Sequence, residues 1–330
     1  MPELLDPTED AKALHASKNS TRQKTEYVDG LDGRVQLRRT AGGYLQVWPR
    51  PTPEALEQLY SQDFYDNHNP EFLAQKRREQ TYWDATWSMR RKLMEAALSP
   101  SRRTLLDVGC SGGFLLDHFQ RHRWQGVGIE PSTSASLWAK NEFGLLVFNG
   151  TLIDYPDEAT SEIESTNQSS FPTSFDAIHS SQVLEHVLDP EFFIERIASL
   201  LVPEGVVYIE VPNEFSVLQE TARERLSKPA WWVAPETHLN YFDFDTLSAL
   251  LKRHGLVEID RLASFPIEMF LLMGDDYVGH PEVGSRCHER RMNFERSLIE
   301  TGRGSELLRL YRAIGEAGMG RTCGILARKI

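Results

Sequence analysis

From Thr104 onward the chain alternates short apolar runs with amphipathic stretches. TLLDVG, GVGIE, LLVFN, FDAIHS, VVYIEV, LVEIDRL and TCGILAR predict strands at 104–109, 126–130, 145–149, 175–180, 206–211, 256–262 and 322–328. Apolar residues at helical spacing predict helices at about 113–123, 133–142, 190–201 and 245–254 between them. Runs of this kind separated by helices are the signature of parallel βαβ units. The expected fold is α/β, a Rossmann-like, seven-stranded, mostly parallel sheet with helices on both faces and helical additions at both ends.

Upstream the pattern differs. Residues 1–25 are polar and aperiodic, which predicts a loosely held arm. Arg34 to Trp48 reads as two short strands around the AGG turn. Thr52 then offers an N-cap, Pro53 a first helical residue and Glu54 a macrodipole partner, ahead of Leu56, Leu59 and Tyr60. One long polar helix is expected over 71–98, carrying Trp83, Trp87, Leu93 and Met94. The Ser-, Thr- and Glu-rich segment 156–174 predicts a surface loop. The stretch 263–321 is far longer than a hairpin needs and predicts a helical subdomain over the carboxyl edge of the sheet, where α/β ligands bind. The expected division is an N-terminal arm, small hairpin and helices over 1–98, a core over 99–265, a helical insertion over the active site at 266–321 and a final core strand at 322–330.

Composition narrows the function classes. A hydrophobic share of 40% allows a sizeable core, and a net charge of −12 argues against a phosphate backbone as partner. The three cysteines, Cys110, Cys287 and Cys323, are far apart and suggest neither a zinc knuckle nor a disulfide framework, so no metal is expected. Without an apolar stretch of ~18 residues or a signal-peptide pattern, a cytoplasmic protein with no membrane span is expected.

The chemistry concentrates after the first core strand. Asp107 leads into Gly109-Cys110-Ser111-Gly112-Gly113 and then directly into FLLDHFQ. Small residues at a strand-to-helix turn admit a ligand close to the backbone and leave helix N–H groups facing it. Glu130 ends the second strand, where an acid can accept two hydrogen bonds from a ribose diol. The dinucleotide fingerprint G-x-G-x-x-G fails, because Ser111 and Phe114 stand where two of its glycines belong.

DVGCSGGFLL and GIEPS instead resemble the first two motifs of the class I S-adenosylmethionine-dependent methyltransferases. FDAIHSSQVLEHVLDP, LLVPEGVVYIEVPN and HLNYFDFDTLSALLKRHGLVEI continue that resemblance in order over about 103–262. Two departures are Ser111 in place of the middle glycine and VPEGV in place of the usual Gly-Gly turn.

The resemblance implies S-adenosyl-L-methionine as cofactor. Gly109, Cys110, Ser111 and Gly113 would line its methionine portion, Asp107 would orient the loop and Glu130 would hold the ribose. Gly150, Thr151 and Leu152 would flank the adenine, and Gln182 and Val183 would lie under the sulfonium. GGYLQVWPRPTPEALEQLYSQDFYD and FPIEMFLLMGDDYVG further resemble bacterial members acting on sugars and related metabolites of surface-polysaccharide biosynthesis. That implies O-methylation of a small-molecule acceptor such as a sugar or glycan precursor, with no nucleic acid involved. The alternatives are a nicotinamide-dependent oxidoreductase and a silent S-adenosylmethionine-binding partner module.

A hydroxyl acceptor must lose a proton, and histidine is the usual residue for that near neutral pH. His186, in LEHV, and His238, in PETHLNYF, come off the carboxyl ends of central strands. His238 is favoured as base, with Glu236 and Tyr241 as orienting partners. The other eight histidines, His179 among them, have no such placement. Arg286, Arg290, Arg291 and Arg296, interspersed with Glu282, Glu289 and Glu295, read as a solvated salt-bridged face in preference to a phosphate site.

Overall fold

Seven strands form the central sheet of the computed structural model, which describes residues 36–52, 71–157 and 171–330. In chain order they are β3 (Thr104–Val108), β4 (Gln125–Glu130), β5 (Leu146–Asn149), β6 (Phe175–Ser181), β7 (Leu201–Pro212), β9 (Leu256–Ala263) and β10 (Thr322–Lys329). Their spatial order is β5-β4-β3-β6-β7-β10-β9. β3 pairs in parallel with both β4 and β6, and β6 with β7. β10 runs antiparallel between β7 and β9, with Cys323 opposite Val211 on one side and Ala263 on the other. The carboxyl edge turns over at β3 and β6, whose connections leave toward opposite sides, and such a crevice is where α/β folds bind ligands.

The alternation of side chains along each strand divides the core in two. Leu106, Val127, Ile178, Val207 and Ile325 face one side, against α5 (Pro190–Leu200) and α7 (Phe244–Arg253). Leu105, Val147, Ala177, Tyr208 and Leu326 face the other. Packed there are α2 (Gln80–Ala97), α3 (Phe114–Arg121) and α10 (Gly304–Glu316). α4 (Thr133–Phe143) bridges β4 and β5. Its N-cap Ser132 accepts from Ala135 N–H, and Gly144 closes it in the left-handed conformation.

The core strands lie where the apolar runs predict, with one extension. β7 begins at Leu201 because Phe175 pairs with Leu201 while Ala177 pairs with Val206, so 202–205 bulge out within the strand. The single helix expected over 71–98 is two: α1 (Phe72–Arg78) and α2, separated at Glu79, whose carboxylate accepts from Gln75 Nε2 on one side and Trp83 Nε1 on the other. The helix expected after Thr52 lies outside the described residues, as does most of the loop 156–174.

The predicted hairpin is present as β1 (Gln36–Arg39) and β2 (Leu45–Trp48), and a third strand, β8 (Asn240–Tyr241), completes a small second sheet. α6 (Val217–Leu226) follows β7 behind a capping box from Ser216 and Gln219. Between β9 and β10 stand α8 (Glu268–Leu272), α9 (Pro281–Glu300) and α10. α10 lies on β9, and α9 packs on α10 and reaches α2. Among the described residues, no helix is long and apolar enough to cross a membrane.

Leu106 lies in the middle of β3 with no exposed surface. Leu106→Ala should lower the unfolding free energy by about 2–5 kcal/mol through lost burial and a residual cavity. Chemical denaturation measures this, and a loss below about 1 kcal/mol would show that the site collapses to fill the space.

Candidate active site

The turn after β3 is built to keep side chains out of a space. Gly109 has φ +77°, and a Cβ there would fall 2.3 Å from Val183 Cγ2. Its N–H and that of Cys110 both donate to the Ile129 carbonyl, tying the turn to β4. Ser111 is also left-handed at φ 53°, and its buried Oγ has no partner. Gln182, just past β6, is held at φ 58° with its N–H donating to the Glu210 carbonyl. Two non-glycine residues in this region, both lining one cavity, mark a place where backbone strain is retained.

Glu130 ends β4 almost fully buried, its two oxygens accepting from Ser111 N–H and Ser132 N–H at 2.8 Å each. Burial raises its carboxyl to about 7 against the pull of those two bonds. Each oxygen still has a lone pair, so a vicinal diol can add two more donors. The open glycine turn, the orphaned Ser111 hydroxyl and this carboxylate together fit an adenosine cofactor with an amino-acid tail.

A cavity of about 320 Å³ opens beside the turn, lined by Asp107, Gly109, Cys110, Ser111 and Gln182. Glu130, Thr151 and Val183 lie outside its lining. Val183 packs over Gly109, and Thr151 is exposed with its hydroxyl donating to Asp154. Gly113 also lies outside the lining; it sits at φ +78° at the start of α3, where a Cβ would meet Leu145 at 2.4 Å and Ala139 at 2.9 Å, so helix packing also requires a glycine there. The Cys110 side chain likewise points inward, against Gly128.

The cavity also holds charges that the sequence does not announce. Arg90 of α2 donates from Nη2 to both oxygens of Glu210, at 2.7 and 2.8 Å, and its Nη1 lies 3.3 Å from His179 Nε2. His179 Nδ1 meets Asp107 Oδ1 at 2.7 Å. Burial alone would raise the Glu210 carboxyl, but the Arg90 guanidinium holds it below its ordinary value. His179, read from sequence as unplaced, therefore sits in a buried relay from Asp107 through Arg90 to Glu210. The helices between β9 and β10 contribute Arg291 and Glu295 from α9 and Tyr311 from α10.

His186 and His238 come together, with ring centroids 5.1 Å apart. His186 Nδ1 bonds the Thr237 carbonyl at 2.8 Å, and burial lowers its pKa to about 4. His238 Nδ1 bonds Glu214 Oε1 at 3.0 Å. This corrects the expected partner. Glu236 is exposed and makes no bond to His238, and the Tyr241 hydroxyl accepts from Ala234 N–H instead. Glu185 is buried with neither carboxylate oxygen hydrogen-bonded, and burial raises its pKa well above the ordinary value. Against the expectation of no metal site, donor atoms of Glu185, His186 and His238 lie within 4.8 Å of one another, a spacing that suits a cation. None of the three lines the cavity beside the glycine turn.

The pair is held by the small sheet. Leu239 and Asn240 N–H both donate to the Glu185 carbonyl, at 2.7 and 3.0 Å. Arg50, just past β2, donates to the Leu239 and Leu188 carbonyls.

A family model described as a methyltransferase domain matches residues 78–260. Ubiquinone biosynthesis O-methyltransferase of Xanthomonas axonopodis pv. citri (strain 306) is 28% identical over 208 residues, covering 59% of this chain and 82% of that protein. The protein of the same name from Rhodopseudomonas palustris (strain TIE-1) is 31% identical over 109 residues, 33% of this chain; the match spans only 40% of that relative's length. Among solved structures, the Burkholderia thailandensis 1,6-didemethyltoxoflavin-N1-methyltransferase aligns with TM-score 0.48 at 14% identity, covering 92% of this chain and 99% of that one.

Glu130→Ala should weaken binding of S-adenosylhomocysteine by an order of magnitude or more, since charge-assisted bonds to a diol contribute ~1.5–3 kcal/mol. The sign of the pH effect follows from the raised carboxyl. Below about 7 it takes a proton and loses acceptor capacity, so wild-type affinity should fall with falling pH. Titration calorimetry from pH 5.5 to 8.5 measures both, and a flat wild-type profile with an unaffected alanine variant would remove Glu130 from the site.

Proposed function

The chain belongs to the methyltransferase domain family, and from that membership we propose that it transfers the methyl group of S-adenosyl-L-methionine to a hydroxyl of a small, polyhydroxylated acceptor, a sugar or glycan precursor. When bound, the cofactor supplies a methyl already activated by its positive sulfur. The chain's own residues have three remaining tasks: to hold the cofactor, to align the acceptor and exclude water, and to remove the acceptor's proton.

Gly109 and Ser111 would receive the amino-acid portion, with Asp107 holding the turn's approach through His179, and Glu130 would accept from the ribose. Gln182 and Val183 would face the sulfur from beyond β6. These assignments rest on the open turn and the orphaned Ser111 hydroxyl.

The observation that carries the choice of a hydroxyl acceptor is the His238–Glu214 pair. With Nδ1 bonded to Glu214, the His238 ring keeps Nε2 to accept a proton, and Glu214 stabilises the imidazolium that forms. His186 is engaged on both nitrogens, by the Thr237 carbonyl and by Glu185 3.6 Å away, and burial lowers its pKa to about 4, which makes it a weak base. His238 is also the more accessible of the pair's two members, at 23% side-chain exposure against 1% for Glu214.

The surroundings support a polyol. Buried Glu185 and Glu214 have carboxylate oxygens without hydrogen-bond partners, able to accept from hydroxyl groups. Tyr241, Phe215 and Trp232 form a connected aromatic wall beside His238, with centroids 5.6–6.4 Å apart. The relatives from Xanthomonas and Rhodopseudomonas are named O-methyltransferases, which supports an oxygen acceptor.

His238→Ala should lower turnover by ~10²–10⁴-fold with S-adenosylhomocysteine affinity intact. Near-normal turnover would exclude His238. Turnover that collapses with chelator and returns with a divalent cation would instead make Glu185, His186 and His238 a cation site. Cofactor binding without turnover on any hydroxylated acceptor would favour a silent binding module.

A further inference from the structure

The amino end of β10 is clamped to the carboxyl end of β7. Asn213 N–H donates to the Arg321 carbonyl at 2.9 Å, and Asn213 Nδ2 donates to the Gly318 and Gly320 carbonyls at 3.0 and 2.8 Å. That clamp brings Arg321 near Glu214, which follows Asn213 and bonds His238. From there Arg321 Nη1 donates to Glu268 Oε1 of α8 at 3.1 Å, and no other nitrogen of its side chain is hydrogen-bonded among the described residues. The Arg321 side chain keeps 30% of its surface exposed, whereas Glu268 is fully buried.

Each carboxylate near this guanidinium is half used. Glu268 Oε2 and Glu214 Oε2 are buried without a hydrogen-bond partner among the described residues, and so is the indole Nε1 of Trp232, whose ring meets Phe215 at 5.6 Å. Burial raises the Glu214 carboxyl while His238 and Arg321 pull it back, so Arg321 acts on Glu214 as well as on Glu268. An ion pair that served only to fasten α8 to β10 would satisfy both oxygens, because a buried acceptor left alone costs stability. The orphaned atoms are instead two acceptors and one donor around a part-exposed cation. A ligand ammonium would be repelled there by Arg321, and a ligand carboxylate by Glu214 and Glu268. Neutral hydroxyl groups meet neither obstacle, since each can donate to a carboxylate oxygen and accept from the guanidinium or the indole.

We propose that Arg321, Glu268 and Glu214 form a hydroxyl-reading subsite, which binds the acceptor's non-reacting hydroxyls beside the one presented to His238. The inference rests on the reading of the acceptor as a polyol and adds the residues that select it. Glu214 then has two tasks, one oxygen on the His238 ring and the other on the ligand, so the acceptor is positioned relative to the base itself. Two orphaned oxygens call for two non-reacting hydroxyls, which a saturated sugar ring supplies. A catechol, with one hydroxyl besides the reacting one, would leave an oxygen unanswered.

Turnover of the full chain, read as release of S-adenosylhomocysteine, tests this. The probes are the methyl α-glycosides of glucose, galactose, mannose and rhamnose, with catechol as the diol that lacks further hydroxyls. The variants are Arg321→Met, Glu268→Gln and the conservative Arg321→Lys. The expected result is methylation of at least one glycoside, with its KM raised about tenfold or more in Arg321→Met and Glu268→Gln, a smaller change in kcat and S-adenosylhomocysteine affinity intact. Arg321→Lys should recover part of the loss. A glycoside KM within about twofold of wild type in both variants overturns the subsite. Parallel losses of kcat, S-adenosylhomocysteine affinity and melting temperature also overturn it, since they mark a pair that only holds the fold. A wild-type chain that binds S-adenosylhomocysteine but accepts no glycoside overturns the polyol reading and the subsite with it, whereas one that does not bind S-adenosylhomocysteine overturns the methyltransferase reading itself.

Discussion

Taking a guanidinium out of water costs several kcal/mol unless a carboxylate meets it, and the upper layer of this protein is arranged around one such meeting. Arg90 reaches from α2 into the carboxyl edge of the sheet and finds Glu210 on β7, with His179 of β6 alongside and Asp107 of β3 behind it. Three adjacent strands and one helix are thereby locked in register at the place where the glycine turn leaves the sheet. A helix held only by apolar contacts could slide by a turn at modest cost, whereas this pairing leaves a buried charge alone if it does. The roof of the cavity is therefore fixed more firmly by α2 than by α1, whose described contacts with the core are fewer and whose side chains are nowhere fully buried.

That network also explains what could be read in the sequence and what could not. The strands were legible because buried parallel strands are short continuous apolar runs, and the glycine turn because few residues tolerate φ near +77° with a neighbour so close. Charged partners separated by 120 residues, as Arg90 and Glu210 are, leave no local periodicity. His179 sits inside an apolar strand and looks like a packing residue until Asp107 is seen across the ladder. Glu214 was missed for a related reason. It is 24 residues from His238 and reaches it only because the small second sheet folds back, whereas Glu236 is near in sequence but points to solvent. A glycine at a helix start serves ligand approach and helix packing alike, and the second demand on Gly113, from Leu145 and Ala139, has no signature in the sequence. The cation-suited spacing of Glu185, His186 and His238 was likewise out of reach, since the two histidines lie on separate connections from the sheet.

The N-terminal hairpin acquires a purpose from the same geometry. Arg50 and Gln46 bond the segment around Asn240, and Asn240 in turn donates to the Leu184 and Val187 carbonyls on either side of His186. Residues outside the core strands thus set the separation of the two histidine rings. An insertion in the connection after β6 would be transmitted to His238 through these bonds before it reached the glycine turn.

The antiparallel strand has a consequence in time. Among the described residues β9 has its only strand partner in β10, and β10 is the last of the seven to leave the ribosome. Until residues 322–329 are made, β9 cannot join the sheet, and β7 presents an unpaired edge rich in Val and Ile. During synthesis, then, the nascent chain can assemble β3 to β7 early but must carry an open, adhesive flank while the whole of α8, α9 and α10 is translated. Slow translation of that stretch would lengthen the exposure of the flank, and chaperone dependence of the newly made protein would be set there and not at the glycine turn.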